Sequence, residues 1–290
     1  MFIVGGDGVI GSALFSCLDK TIGGVTVSTR RRDRVSSGKR YLDLASERQD
    51  WGLSKPAGTI VICAGITSLE QCELDKNLSR KVNVEAAVEI AEWGMRNGSH
   101  VIYLSTNQVF DGSSPYPETD SPACAVSEYG RQKAEAERRI LSLSGKGEVC
   151  ILRLTKVLHE KYNLFVNWAR KLVNNEPISA FNDMSLSPIP LASVITTILV
   201  LAQNRAKGIW HLSGERNITY LEAALIPAEK VGASAALVKS TSAIDGGLNK
   251  QPSYNSLGLE RIKTEFGIVP PDVRWTVECV ALQIKPSLAG

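Results

Sequence analysis

From residue 1 to about 155 the chain alternates short apolar runs with longer stretches in which apolar residues recur every three or four positions. The runs are FIV (2–4), VTV (25–27), TIVIC (59–63), VIYLS (101–105) and VCILRL (149–154). They are nearly continuous in apolar and β-branched residues, as strands buried on both faces must be. Between them lie VIGSALFSCLDK (9–20), NLSRKVNVEAAVEIAEWGMRN (77–97) and AVSEYGRQKAEAERRILSL (125–143), each with helical period. Parallel strands require crossover connections, so the alternation predicts an α/β fold: a Rossmann-type, doubly wound parallel sheet with helices on both faces.

After about residue 155 the rhythm breaks. Proline and glycine become denser in NNEPISAFNDMSLSPIPLAS, GGLNKQPSYNSLG and VPPDVRW. WHLS (210–213) predicts one further strand, and LASVITTILVLAQNR, TYLEAALIPAEK and RWTVECVALQI predict helices. The expected organisation is a nucleotide-binding domain over 1–155, with 183–213 adding to it, and a smaller, partly interleaved C-terminal lobe from 156–182 and 214–290 that binds substrate.

Composition narrows the class. With 43% hydrophobic, 22% charged and 6% aromatic residues, the 290-residue chain reads as an ordinary globular protein. Its net charge of +3 is too small to argue for nucleic acid, and the visible basic excess is local, at Arg30, Arg31, Arg32 and Arg34. The six cysteines lack C-x-x-C spacing and read as reduced, mostly buried thiols, not as a disulfide frame or a metal site. The first glycine arrives at position 5, which leaves no room for a signal peptide, and no apolar run reaches the 18 or so residues of a membrane span. A cytoplasmic protein is expected.

The first strand runs straight into GGDGVIG and then a helix. This fits G-x-G-x-x-G on Gly6, Gly8 and Gly11, and equally G-x-x-G-x-x-G on Gly5, Gly8 and Gly11. Either spelling permits a tight turn and close backbone approach, and the following helix offers free N–H groups and a positive dipole end to a pyrophosphate. Folds that bind NAD usually place an acid about twenty residues further on, where it bonds the ribose 2′-hydroxyl. Here the second strand ends in Ser28, Thr29, Arg30 and Arg31, and the first acid is Asp33. Guanidinium groups bind a phosphate through paired, charge-assisted hydrogen bonds, so NADP(H) is expected over NAD(H), held by Arg30 first and Arg31 second.

Tyr129 and Lys133 are i and i+4 on a strongly helical stretch and share one face. An ammonium held near a phenol favours the phenolate, which makes a tyrosine a usable acid or base near neutral pH. The strand VIYL ends upstream in Ser105 and Thr106, at the sheet edge where open α/β folds bind ligands.

With these elements in place the chain resembles the extended short-chain dehydrogenase/reductases, and within them the dTDP-4-dehydrorhamnose reductase-like branch. The resemblance rests on GGDGVIG (5–11), CAGIT (63–67), KVNVEA (81–86), LSTNQVFDG (104–112), YPETDSP (116–122) and YGRQKAEAE (129–137). It implies a catalytic triad of Thr106, Tyr129 and Lys133. It also implies cofactor contacts at Gly5, Gly8, Val9, Ile10 and Gly11, at Thr29 beside the arginines, at Asp43 and Leu44, and at Ala64 and Gly65. Tyr129 and Lys133 would touch the cofactor too, and Asn83 would have an architectural role. Thr67, Thr106, Gln108, Lys156 and Asn163 are the substrate candidates, with an N-cap as the plain alternative for Asn163.

The implied chemistry is reduction by NADPH of the keto group of a nucleotide-linked sugar, with a homodimer as the expected assembly. Asn107 and Gln108 stand where the related dehydratases carry an Asp-Glu pair, and amides exchange no proton usefully, so dehydration is not expected. An epimerase of the same superfamily and a non-catalytic NADP-binding regulatory subunit are the alternatives to a reductase.

Overall fold

The computed structural model describes residues 1–19, 24–53, 58–143, 145, 148–160, 163–245 and 252–282. The first half contains β1 (Phe2–Val4), α1 (Val9–Asp19), β2 (Thr26–Thr29), β3 (Lys39–Tyr41), β4 (Thr59–Ile62), α2 (Leu69–Leu74), α3 (Lys76–Arg80), α4 (Ala87–Arg96), β5 (His100–Thr106) and α5 (Glu128–Ser142). There follow β6 (Glu148–Leu154), β7 (Lys156–Leu158), α6 (Asn163–Val173), β8 (Ile178–Phe181), β9 (Ser185–Leu186), β10 (Pro188–Pro190) and α7 (Leu191–Gln203). The chain closes with β11 (Gly208–Leu212), β12 (Ile218–Thr219), α8 (Tyr220–Val231), β13 (Val238–Thr241), α9 (Glu260–Phe266) and α10 (Val273–Leu282).

Seven strands form one parallel sheet in the order β11-β6-β5-β4-β1-β2-β3. The chain builds outward from β1 in both directions, so the strand order reverses between β1 and β4, where Phe2 pairs with Ile60 and Val4 with Ile62. Such a switch point leaves a crevice at the carboxyl ends of the strands. Every residue of β5 is buried, as its unbroken apolar run requires. The strand at the β3 edge carries Lys39, Arg40 and Tyr41 and is only partly buried, so no apolar pattern announces it.

Two compact units divide the chain. The first comprises Met1–Phe110, Asp120–Arg153 and Ile195–Trp210; its core includes Ile60, Ile62, Ile90, Tyr103, Ile140 and Ile151. Burying each such side chain contributes roughly 1.5–3 kcal/mol. The second comprises Asp111–Thr119, Leu154–Val194 and His211–Gly290. In it three short strand pairs, β7 with β10, β9 with β12 and β8 with β13, accompany α6, α8 and α10. Phe165, Trp168 and Tyr220 meet edge to face in its core. Of the residues expected with the first lobe, 111–119, 154–155, 183–194 and 211–213 lie in the second unit, 183–194 because β9 and β10 find their partners there.

The 77–97 stretch forms α3 and α4 joined through one π-helical segment, Lys81–Ala86, which buries Asn83. Two thiols depart from the expected burial: Cys17 and Cys124 are exposed, while Cys72 and Cys150 are buried. Among the described residues no helix is long and apolar enough to cross a membrane, and no group of His, Cys, Asp and Glu could hold a metal ion.

Candidate active site

The glycine loop between β1 and α1 closes on itself, Gly8 N–H donating to Gly5 O at 3.1 Å. Gly5 has φ +98°, and a Cβ there would lie 2.7 Å from Ala64 N in the segment after β4. At Gly11 a Cβ would come within 2.3 Å of Gly5 O, so this glycine lets α1 sit directly on the turn. Only glycine satisfies both positions. Beside the loop opens a cleft of about 410 Å³, bordered by the segments that follow β1, β2, β3 and β4.

Of the expected cofactor contacts, Gly5, Gly8, Arg30, Asp43, Leu44, Ala64 and Gly65 line this cleft, and so does Thr67. Val9, Ile10 and Gly11 do not; they form the first turn of α1, whose N–H groups have no intrahelical acceptor. Thr29 does not line the cleft; its hydroxyl donates to Asp7 Oδ2, on the cleft wall, at 2.9 Å. The arginines part company: Arg30 lines the cleft, Arg31 does not, Arg32 stacks on the Tyr41 ring at 4.1 Å, and Arg34 faces Asp7 at 4.0 Å.

The cleft's far wall is held by Asn83. Its amide oxygen accepts from Ile66 N–H at 2.8 Å and its nitrogen donates to Ile66 O at 3.0 Å. The same nitrogen donates to Gln132 Oε1 at 3.0 Å, and Gln132 Nε2 donates to Ser79 Oγ and Glu128 Oε1. Segment 64–67 is thus tied through the π-helical segment to α5, the helix that carries Tyr129 and Lys133.

Helix α5 starts at the N-cap Ser127, whose hydroxyl accepts from Gly130 N–H at 3.1 Å. A Cβ on Gly130 would lie 2.1 Å from Gln108 O, so the glycine permits the helix start to press on the turn that follows β5. That approach places the Tyr129 hydroxyl in hydrogen-bond contact with Thr106, which caps the turn by accepting from Gln108 N–H at 3.2 Å. Burial raises the Tyr129 pKa above the ordinary phenol value, against the weaker opposing effect of the Thr106 bond.

Lys133 is buried as well. Its Nζ donates to Leu104 O at 2.6 Å and sits 3.9 Å from the centre of the Tyr103 ring. Burial lowers its pKa to about 7, opposed by Glu137 and Cys63. Cys63, on the cleft wall, is itself pushed up to about 12 by burial. The expected depression of the tyrosine pKa by the lysine is therefore absent in this state. Desolvation dominates both groups, and the amine is bonded to a backbone carbonyl instead of the phenol.

Beneath Lys133, Glu137 forms a buried ion pair with Arg153: Nη2 to Oε2 is 2.7 Å, Nε to Oε1 3.1 Å, and both side chains are 4% exposed. In the second unit Lys156 is exposed on β7, and Asn163 opens α6, its side chain lying outside the described residues. His100 and His211 are buried and bonded to Ala206 O and Gly258 O, as structural histidines would be. Asp7, Gln132 and the Arg153–Glu137 pair carry no sequence signal of their partners, since each contact spans 16 to 49 residues or depends on how a loop turns.

The chain matches the family model described as RmlD substrate binding domain over residues 1–285. It is 30% identical to a dTDP-4-dehydrorhamnose reductase of Aggregatibacter actinomycetemcomitans, with 94% of this chain and 95% of that protein aligned. A crystal structure of a hypothetical dTDP-4-dehydrorhamnose reductase from Sulfolobus tokodaii is similar at TM-score 0.77 and 26% identity, covering 91% of this chain and 94% of that one. The dTDP-4-dehydrorhamnose reductase of Bacillus anthracis, solved in complex with NADP, shares the fold at TM-score 0.81 and 20% identity, covering 97% and 98%. The glycine-loop cleft, the Thr106–Tyr129–Lys133 arrangement and a family match spanning nearly the whole chain lead to one conclusion: the protein belongs to the RmlD substrate-binding domain family.

Proposed function

We propose that the protein is an NADPH-dependent reductase of the extended short-chain dehydrogenase/reductase type that reduces the 4-keto group of a nucleotide-diphospho-sugar in deoxysugar or polysaccharide precursor synthesis. The observation that carries this reading is the hydrogen-bonded pair of Thr106 and Tyr129 hydroxyls at the end of β5, with Lys133 one helical turn away on α5. The reductase relative, aligned over 94% of this chain, supports the substrate class. The cleft suits a dinucleotide: a Cβ at Gly8, on its wall, would meet only Gly5 O at 3.4 Å, so the glycine keeps the loop surface low where a pyrophosphate would lie.

When bound, the reduced nicotinamide supplies a hydride to the ketone carbon. Tyr129, held in its protonated form by burial, donates a proton to the oxygen that becomes an alkoxide. Thr106 holds that oxygen by a second hydrogen bond. Lys133, anchored on Leu104 O, keeps N–H donors for the nicotinamide ribose and supplies positive charge when protonated. The first unit binds the cofactor and carries the substrate candidates Thr67 and Gln108; Lys156 and Asn163 are the substrate candidates of the second unit. The free cysteines accord with a reducing, cytoplasmic setting.

Mixing the protein with NADPH and a panel of nucleotide-4-keto-sugars, while following loss of reduced-nicotinamide absorbance, tests the reading. Oxidation of NADPH with one member of the panel supports it. Stoichiometric NADPH binding with no oxidation across the panel would instead favour a regulatory subunit.

A further inference from the structure

The rim of the cleft holds an acid that the reaction above does not use. Folds that bind NAD bring a carboxylate to the end of β2, about twenty residues after the glycine loop, to accept from the ribose 2′-hydroxyl. In this chain the end of β2 carries Thr29 and Arg30, but a carboxylate still reaches it, supplied from inside the glycine loop by Asp7.

Two bonds lock that carboxylate in place. Asp7 Oδ2 accepts from the Thr29 hydroxyl at 2.9 Å and from Arg30 N–H at 3.0 Å. Among the described residues, the group recorded against Oδ1 is Arg34 Nη1 at 4.0 Å, beyond hydrogen-bond distance and on a half-exposed side chain. Oδ1 therefore keeps acceptor capacity. Both Asp7 and Arg30 line the cleft. Two opposite charges thus border the place where the adenosine ribose of a dinucleotide sits in such folds.

We infer that Asp7 is a specificity-determining residue for the cofactor: its carboxylate accepts from a ribose 2′-hydroxyl and repels a 2′-phosphate, so the cleft discriminates less sharply against NADH than its arginines alone would. This rests on the reading of the cleft as an NADPH site. A carboxylate favours a hydroxyl donor and opposes a dianionic neighbour, whereas a guanidinium does the reverse.

The test is equilibrium binding of NADPH and NADH to the purified full-length protein by titration calorimetry, with no turnover required. Asp7→Asn keeps an oxygen for the Thr29 and Arg30 donors and removes the charge. We expect the ratio of the NADH to the NADPH dissociation constant to rise by about tenfold or more, the scale of one charge-assisted hydrogen bond. Asp7→Ser should move it in the same direction, which covers the case of a variant that folds poorly. An unchanged ratio, with both affinities falling together, would mean that Asp7 only clamps the end of β2 and would overturn the inference. A falling ratio would mean that it serves by aiming the arginines, and would overturn it equally. Arg30→Ser is the separate control: if the wild-type ratio survives it, the NADPH reading fails, and the Asp7 result still stands or falls on its own ratio.

Discussion

Tyr129 and Lys133 share a helix face, yet their protonation is governed by burial more than by each other. Tyr129 keeps its proton, which is the form that a reductase needs at the start of turnover. Replacing it with phenylalanine removes the donor and leaves the glycine-loop cleft intact, so Tyr129→Phe should bind NADPH with near wild-type affinity while kcat falls by roughly 10²-fold or more. Binding titration and steady-state kinetics on one preparation check both halves; an active variant would take Tyr129 out of the mechanism. The arginine run separates on the same scale. Arg30 lines the cleft and Arg31 does not. Arg30→Ser should raise the KM for NADPH by about tenfold, with a smaller change for NADH, whereas Arg31→Ser should move either by less than about threefold.

Among the elements, α5 does most to assemble the site. It buries Tyr129, Gln132, Lys133, Ala136, Glu137 and Ile140, a stripe at helical spacing that mixes core with chemistry. The Arg153–Glu137 pair joins this helix to β6. Removing one partner of a buried ion pair leaves an uncompensated charge and typically costs about 3–5 kcal/mol. Arg153→Ala should therefore lower the urea midpoint strongly, and pairing Arg153→Met with Glu137→Leu should recover much of the loss. A single variant with wild-type stability would sink this account. The helical stripe and its Y-x-x-x-K spacing were legible in the sequence. The π-helical segment was not, because its apolar period blends with α3 and α4 and only the Asn83 bonds to Ile66 reveal its use. Strand β3 was equally silent, since a short, polar edge strand has no alternation to read.

For the whole molecule, Lys133 couples stability to pH. In the unfolded chain it binds a proton up to its ordinary value of 10.5, while in the folded protein burial lowers that to about 7. Between the two values the unfolded state holds more protons, so the free energy of unfolding rises with pH. Above about 9 the half-buried Cys63, raised to about 12 when folded, begins to act in the opposite sense. The window to use is pH 7 to 9, where Lys133 should raise the stability of the cofactor-free protein by up to about 2 kcal/mol, with the N-terminal amine, lowered by burial from its ordinary 8.0, adding in the same sense. Urea unfolding at both ends of the window measures it. Lys133→Met should abolish most of the climb, and a variant that retained it would assign the effect to other groups.

The amino-acid sequence by itself determined the sheet class, the glycine turn and the helix bearing Tyr129 and Lys133, because these depend on residue periodicity and on glycine's lack of a Cβ, both local properties. Tertiary structure alone decided which arginine faces the cleft, that Asp7 reaches the end of β2, and that Lys133 bonds Leu104 O instead of the phenol. Each of these outcomes turns on how loops from separate strands converge and how fully a charge is taken from water, and neither quantity is written in the spacing of residues along one chain.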